Sequence, residues 1–251
     1  MTLLDSIVLG IVEGITEFLP ISSTAHLVVA SDLLNIPAST FLSSFIIAIQ
    51  LGAIASVVAV YWRTLIFDFE TLKRVAIAFI PTAIVGFVLY KLLKDVLIEN
   101  LALIAWMLIL GGIVLVLFER LHTPGTKSEI SYTSAFIIGC IQSLAIVPGV
   151  SRAGATVLGG LSLGITREKI VEFSFLLAIP TMLAATGYDL MKSGAAFAEG
   201  DWLMLAAGFG TAFIAAFIAV KWLIRYVQTH SFALFGWYRI LLGIALLIWL
   251  V

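Results

Sequence analysis

The sequence predicts an all-α polytopic membrane protein: six transmembrane helices plus two re-entrant helical hairpins, arranged as an inverted repeat. Three observations predict it. With 62% hydrophobic and 12% charged residues and a mean hydropathy of +1.16, the chain is far more apolar than a soluble domain. Six stretches stay apolar over the roughly 20 residues that a helix needs to cross a bilayer. Two further regions, 3–34 and 133–164, are apolar but broken near the middle by Pro20 and Pro148 among small and hydroxyl residues.

Taken in order, residues 3–34 form the first hairpin. Its arms, roughly 10 to 15 residues each, are too short to cross, and non-helical backbone is tolerated at membrane depth only inside protein or along a cavity. Asp5, Glu13 and Glu17 interrupt this stretch and no basic segment precedes it, so the expectation is a mature N-terminus rather than a cleavable signal peptide. Spans follow at 41–62, 74–93 and 101–118. The second hairpin, 133–164, breaks at Pro148 and Gly149, and spans at 170–190, 202–223 and 233–251 follow it.

The halves, 1–122 and 131–251, lie within one integral membrane domain (1–251) and resemble each other at an offset near 130. Gly10 and Glu13 match Gly139 and Gln142; Pro20 and Ser23 match Pro148 and Ser151; Phe45 to Ile49 matches Phe175 to Ile179. Ala102, Leu103, Trp106, Leu110 and Gly112 match Ala233, Leu234, Trp237, Leu241 and Gly243. Three spans per half is an odd number, which inverts the second half relative to the first. Loop charge sets the orientation. Arg63, Lys73, Arg74, Arg120, Lys127, Arg167, Lys169, Lys221 and Arg225 fall on one side and Lys91, Lys94 and Lys192 on the other, which puts the first side in the cytoplasm and both termini outside. The hairpins then enter from opposite faces, and their broken tips meet near the midplane.

A net charge of −1 without a basic run excludes nucleic acid as a partner and a polybasic lipid anchor. Cys140, the only cysteine, excludes an intramolecular disulfide and a cysteine-based zinc site, and reads as an inert buried thiol.

Ionisable residues at membrane depth are costly and read as functional. Glu13 and Glu17, four residues apart, share a helix face, where two carboxylates share a proton or hold a hard cation such as Mg2+ or Ca2+. After Pro20, Ser22, Ser23 and Thr24 open a second arm whose N-terminal amides suit an anion, and His26 lies one turn from Ser23. At the second tip Ser151 is a cap, Gly154 lets backbone approach a ligand, and Arg152 offers a fixed planar fork for phosphate oxygens. Thr156, one turn beyond Arg152, donates to the same ligand or back to its own helix. Gln142 takes the place of Glu13 without its charge. Arg239, inside the last span, either snorkels to the cytoplasmic face or closes the ligand chamber.

These residues make two ordered motifs, EGITEFLPISSTAH (Glu13 to His26) and PGVSRAGAT (Pro148 to Thr156). On them the chain resembles the undecaprenyl-diphosphate phosphatase family of the bacitracin-resistance type, multi-pass proteins of the bacterial plasma (inner) membrane that recycle the lipid carrier of cell-wall synthesis. The resemblance implies metal-dependent hydrolysis of undecaprenyl diphosphate, a polyprenyl diphosphate lipid, to undecaprenyl phosphate and phosphate. It also implies functional positions at Glu13, Glu17, Ser23, His26, Ser151, Arg152 and Thr156. One departure is Ala153, where the family usually has serine.

The chemistry expected of such a site has Arg152 and the helix N-termini binding the diphosphate together with a cation on Glu13 and Glu17. Ser23 attacks, and His26 acts as base and then acid; His26 itself or water are the alternative attackers. Inverted repeats with broken helices are also transporter architecture, so composition and periodicity alone leave open a transporter or flippase of a polyprenyl phosphate lipid. A homodimer is compatible with either.

Overall fold

Ten α-helices form among residues 1–92, 100–122, 125–193 and 202–250, which the computed structural model describes. Of the loop charges named above, Lys94 lies outside the described residues, as do the side chains of Lys91 and Lys192. Apart from an isolated bridge between Lys127 and Ile165, no strand forms among the described residues.

Each broken region yields two short helices: α1 (Leu3–Thr16) and α2 (Ser23–Leu33), then α6 (Tyr132–Gln142) and α7 (Arg152–Ser162). At about 1.5 Å per residue, the 14 residues of α1 and the 11 of each of the others reach about 21 and 17 Å, short of a hydrocarbon core of about 30 Å. Among the described residues, five helices are long and apolar enough to cross a membrane: α3 (Thr40–Phe67), α4 (Phe69–Leu92), α5 (Leu101–Leu121), α8 (Arg167–Ser193) and α9 (Trp202–Tyr226). The sixth expected span is α10 (Ala233–Trp249), apolar but only 17 residues long. The chain is a multi-pass membrane protein.

Local chemistry starts the helices where the sequence places polar groups. Thr2 and Asp5 form a capping box on α1, Asn100 accepts from the Leu103 amide at 2.9 Å, and Ser131 accepts from the Ser134 amide at 3.1 Å. Asp68 turns α3 into α4 by accepting from the Thr71 amide at 3.0 Å and the Thr71 hydroxyl at 2.7 Å. The helix before it runs five residues beyond the expected Trp62, bending at Tyr61 (φ −108°, ψ 21°).

α1 lies along α9, α6 along α4, and α5 along α10, while α3 packs on α8 and α9 and α8 packs on α4. Small residues set these distances, as they do between helices in lipid. A Cβ on Gly10 would stand 2.6 Å from the Gly208 carbonyl oxygen, one on Gly112 2.5 Å from that of Gly236, and one on Gly139 would overlap that of Ala78. One apolar cluster, including Phe18, Ile54, Ala135, Phe175 and Ala216, joins the two halves behind the short helices. Outside, Ile84, Phe87, Val88, Leu241 and Ile248 are exposed, as a lipid-facing surface requires. Cys140 corrects the expectation of burial: it lies on the exposed face of α6, because in a membrane protein an apolar stretch continues onto the outer surface.

Gly139→Ala is expected to cost roughly 1–3 kcal/mol by overpacking and to lower the thermal unfolding midpoint in detergent. Gly210→Ala, where the added methyl meets nothing within 4 Å, leaves the midpoint unchanged or raises it.

Candidate active site

Both broken regions turn through a serine at positive φ: Ser22 (φ 72°, ψ 94°) before α2 and Ser151 (φ 74°, ψ 115°) before α7. Such backbone costs about 1–3 kcal/mol and persists only where its surroundings fix it. The two tips therefore correspond at Ser22 and Ser151, one residue from the sequence pairing of Ser23 with Ser151. Gly149 (φ 92°) completes the second turn, where a Cβ would stand 2.7 Å from the Ile104 carbonyl oxygen.

The capping differs between the tips. Ser151 Oγ accepts from the Gly154 amide at 3.2 Å and so caps α7, which supplies the hydroxyl that Ala153 lacks. Ser22 makes no side-chain cap, so the first-turn amides of α2 are left available to an anion.

Charge links the tips. Arg152 Nη2 reaches Glu17 Oε1 at 3.1 Å, and the side chains are only 11% and 8% exposed. Ser23 Oγ donates to the other Glu17 oxygen at 2.5 Å, and Arg152 Nη1 donates to the Ser174 carbonyl at 3.0 Å. The guanidinium also lies 5.7 Å from the centre of the Phe18 ring. A carboxylate and a serine from the first half thus share one hydrogen-bonded unit with an arginine 135 positions later.

This unit faces a cavity of about 220 Å³. Of the residues singled out in the sequence, Glu17, Ser22, Ser23, Thr24, Gln142, Ser151 and Arg152 are on its wall. Glu13, His26, Gly154 and Thr156 are not. Glu13 is fully buried, and neither of its carboxylate oxygens has a hydrogen-bond partner among the described residues. Thr156, also fully buried, donates to Gln142 Oε1 at 3.0 Å and back to the Arg152 carbonyl at 2.9 Å. Gln142 in turn donates to the hydroxyls of Thr82 and Thr181 at 3.0 and 3.2 Å. Gly154 gives room to Arg239: a Cβ would stand 3.1 Å from Nη1.

His26 points at α10. Its Nδ1 lies 2.8 Å from the Ser22 carbonyl, which only accepts, so Nδ1 carries the proton; Nε2, 2.7 Å from the Tyr238 hydroxyl, then accepts. Sequence reasoning missed Tyr238, together with Gln50, Thr82 and Thr181 on the cavity wall. Gln50 was visible as a lone amide in an apolar span, and both threonines directly follow a helix-interior proline, Pro81 and Pro180. Tyr238 carried no signal apart from its contact.

A helical membrane protein that gathers an arginine, a carboxylate, a serine and an uncapped helix N-terminus around one cavity is of the class that binds an anionic, phosphate-like ligand. The chain belongs to the bacitracin resistance protein BacA family, whose model matches residues 6–245. It is 51% identical over 248 residues to the undecaprenyl-diphosphatase of Aquifex aeolicus (strain VF5), covering 97% of both chains. It is 48% identical over 254 residues to that of Sulfurihydrogenibium sp. (strain YO3AOP1), covering 99% of this chain and 100% of the relative. Identity to the Thermus thermophilus undecaprenyl-diphosphatase is 44% over 245 residues, 95% of this chain and 94% of that one.

Removing one member of the Glu17–Arg152 pair strands a buried charge. Arg152→Met is expected to cost roughly 3 kcal/mol of stability, and adding Glu17→Gln to it recovers most of that loss. Thermal unfolding of the two single variants and the double variant measures the coupling.

Proposed function

We propose that the protein hydrolyses undecaprenyl diphosphate to undecaprenyl phosphate and inorganic phosphate, and thereby recycles a cell-wall lipid carrier and confers bacitracin resistance. The observation that carries the mechanism is the 2.5 Å hydrogen bond from Ser23 Oγ to Glu17. Ser23 attacks the terminal phosphorus as Glu17 takes its proton. The anhydride bond breaks, and Glu17 returns the proton as undecaprenyl phosphate leaves. Water then attacks the serine phosphate, giving a proton to Glu17, and phosphate departs as Ser23 is reprotonated. Arg152 and the α2 amides hold the charge on the transferred group, where phosphoryl transfer gains most. The base role falls to Glu17 rather than His26, because Glu17 already accepts the Ser23 hydroxyl while the ring nitrogens of His26 are taken by the Ser22 carbonyl and the Tyr238 hydroxyl. Ile146, Met182 and Ala185 on the wall suit the start of the prenyl tail.

Glu13 and Glu17 are the residues that would hold Mg2+ or Ca2+. The two buried, unpartnered oxygens of Glu13, one turn from Glu17, fit a hard cation. Such an ion would supply charge neutralisation for the diphosphate.

The topology belongs to the same proposal: α10 is the sixth span, α1–α2 and α6–α7 are re-entrant, and the halves are inverted copies in the inner membrane with both termini outside. Corresponding contacts support it. The α1–α9 packing recurs as α6–α4 and α3–α9 as α8–α4, and the Gly112–Gly236 approach recurs between Gly243 and Ala105.

Purified protein is expected to release phosphate from undecaprenyl diphosphate. Ser23→Ala should lower turnover at least about a hundredfold, and chelator should abolish release until Mg2+ or Ca2+ is returned. Lipid crossing without phosphate release would favour the transporter. For topology, a cysteine at Ser39 reacts with an impermeant thiol reagent on intact cells and one at Ser128 only after permeabilisation; the reverse pattern would invert the orientation.

A further inference from the structure

Among the described residues, the largest buried side chain is Arg239, 2% exposed in the middle of α10. It makes no ion pair among the described residues. Instead its two terminal nitrogens donate to backbone carbonyls, Nη1 to Pro20 at 3.3 Å, and Nη2 to Gly149 at 2.9 Å and to Met107 of α5 at 3.1 Å, while Nε has no partner among the described residues. Pro20 and Gly149 hold the same place in the two tips, each two residues before a serine at positive φ, Ser22 and Ser151. Two strained turns from opposite halves are therefore tied to one rigid fork. Room has been made for that fork, since a Cβ on Gly111 would overlap Nη2.

A planar guanidinium donates in fixed directions, whereas an ammonium is a point charge with rotatable donors. Two carbonyls held by one fork cannot drift apart independently. The spacing of the tips is also the spacing of Ser23 from Arg152, and so of attacker from phosphate clamp. We propose that Arg239 is a positioning residue: it pins Pro20 and Gly149 and thereby holds the two tips at the separation the reaction needs, without touching substrate. This rests on the phosphatase reading for its kinetic consequence but not for the pin itself. A misplacement of about 1 Å can cost a hundredfold in rate, which sets the expected scale.

The test uses full-length Arg239→Met and Arg239→Lys in detergent, read by hydrogen exchange of backbone amides and by phosphate release. The pin predicts at least about tenfold faster exchange in both tips, 17–25 and 147–155, while α4 and α9 exchange as in the wild type. It also predicts kcat lowered about tenfold to a hundredfold with KM within about twofold. Arg239→Lys keeps the charge and should still loosen the tips, and it is read alone if Arg239→Met does not fold. Unchanged exchange in both tips, exchange raised uniformly over the whole chain, or wild-type kcat in Arg239→Lys would overturn the proposal. If wild-type protein releases no phosphate, the phosphatase reading fails, and the exchange pattern still decides the pin.

Discussion

Backbone that leaves a helix inside an apolar surround must find every hydrogen bond it gives up. Most of this structure follows from meeting that demand twice. Around the first break, the Ser22 carbonyl is taken by His26 and the Pro20 carbonyl by Arg239. Around the second, Gly149 is taken by the same arginine and the Gly154 amide by Ser151. Local side chains take one group at each break, but Arg239, which takes a carbonyl at both, comes from the last helix, so the tips are complete only when that helix has packed. The start of α2 has no side-chain cap from Ser22, and it opens beside Ser23, where the proposed anion would bind.

Electrostatics and packing point the same way. Glu17 is neutralised by Arg152 and in turn receives the Ser23 hydroxyl, so burial of charge and the proposed activation of the serine are one arrangement. The second half replaces the Glu13 position by Gln142, whose bonds to Thr82, Thr156 and Thr181 brace the opposite wall without further charge. The glycine seams between α1 and α9, α6 and α4, and α5 and α10 fix the platforms on which these groups stand.

Much of this was legible in the residues themselves. Prolines at 20 and 148 mark the breaks, the arms are visibly short, and the charges of Glu17 and Arg152 have no affordable place except beside each other. What was not legible depends on contacts between distant segments. His26 read as a partner of Ser23 because they share a helix turn, yet its ring goes to Tyr238, 212 positions away. Arg239 read equally as a snorkelling residue, since nothing local reveals which carbonyls lie within its reach. Cys140 read as buried because sequence hydropathy does not separate a protein interior from a face turned to lipid.

The position of Arg239 in the chain gives the site an order in time. A ribosome delivers Pro20 219 residues before Arg239 and Gly149 90 residues before it. At about 5 to 20 residues per second, the first tip waits roughly ten to forty seconds for its fork. Nascent protein thus has its serine, carboxylate and clamp already synthesised while the tie between them is still missing. On the proposed role of Arg239, full turnover therefore waits for the last helix, the part of the chain made last.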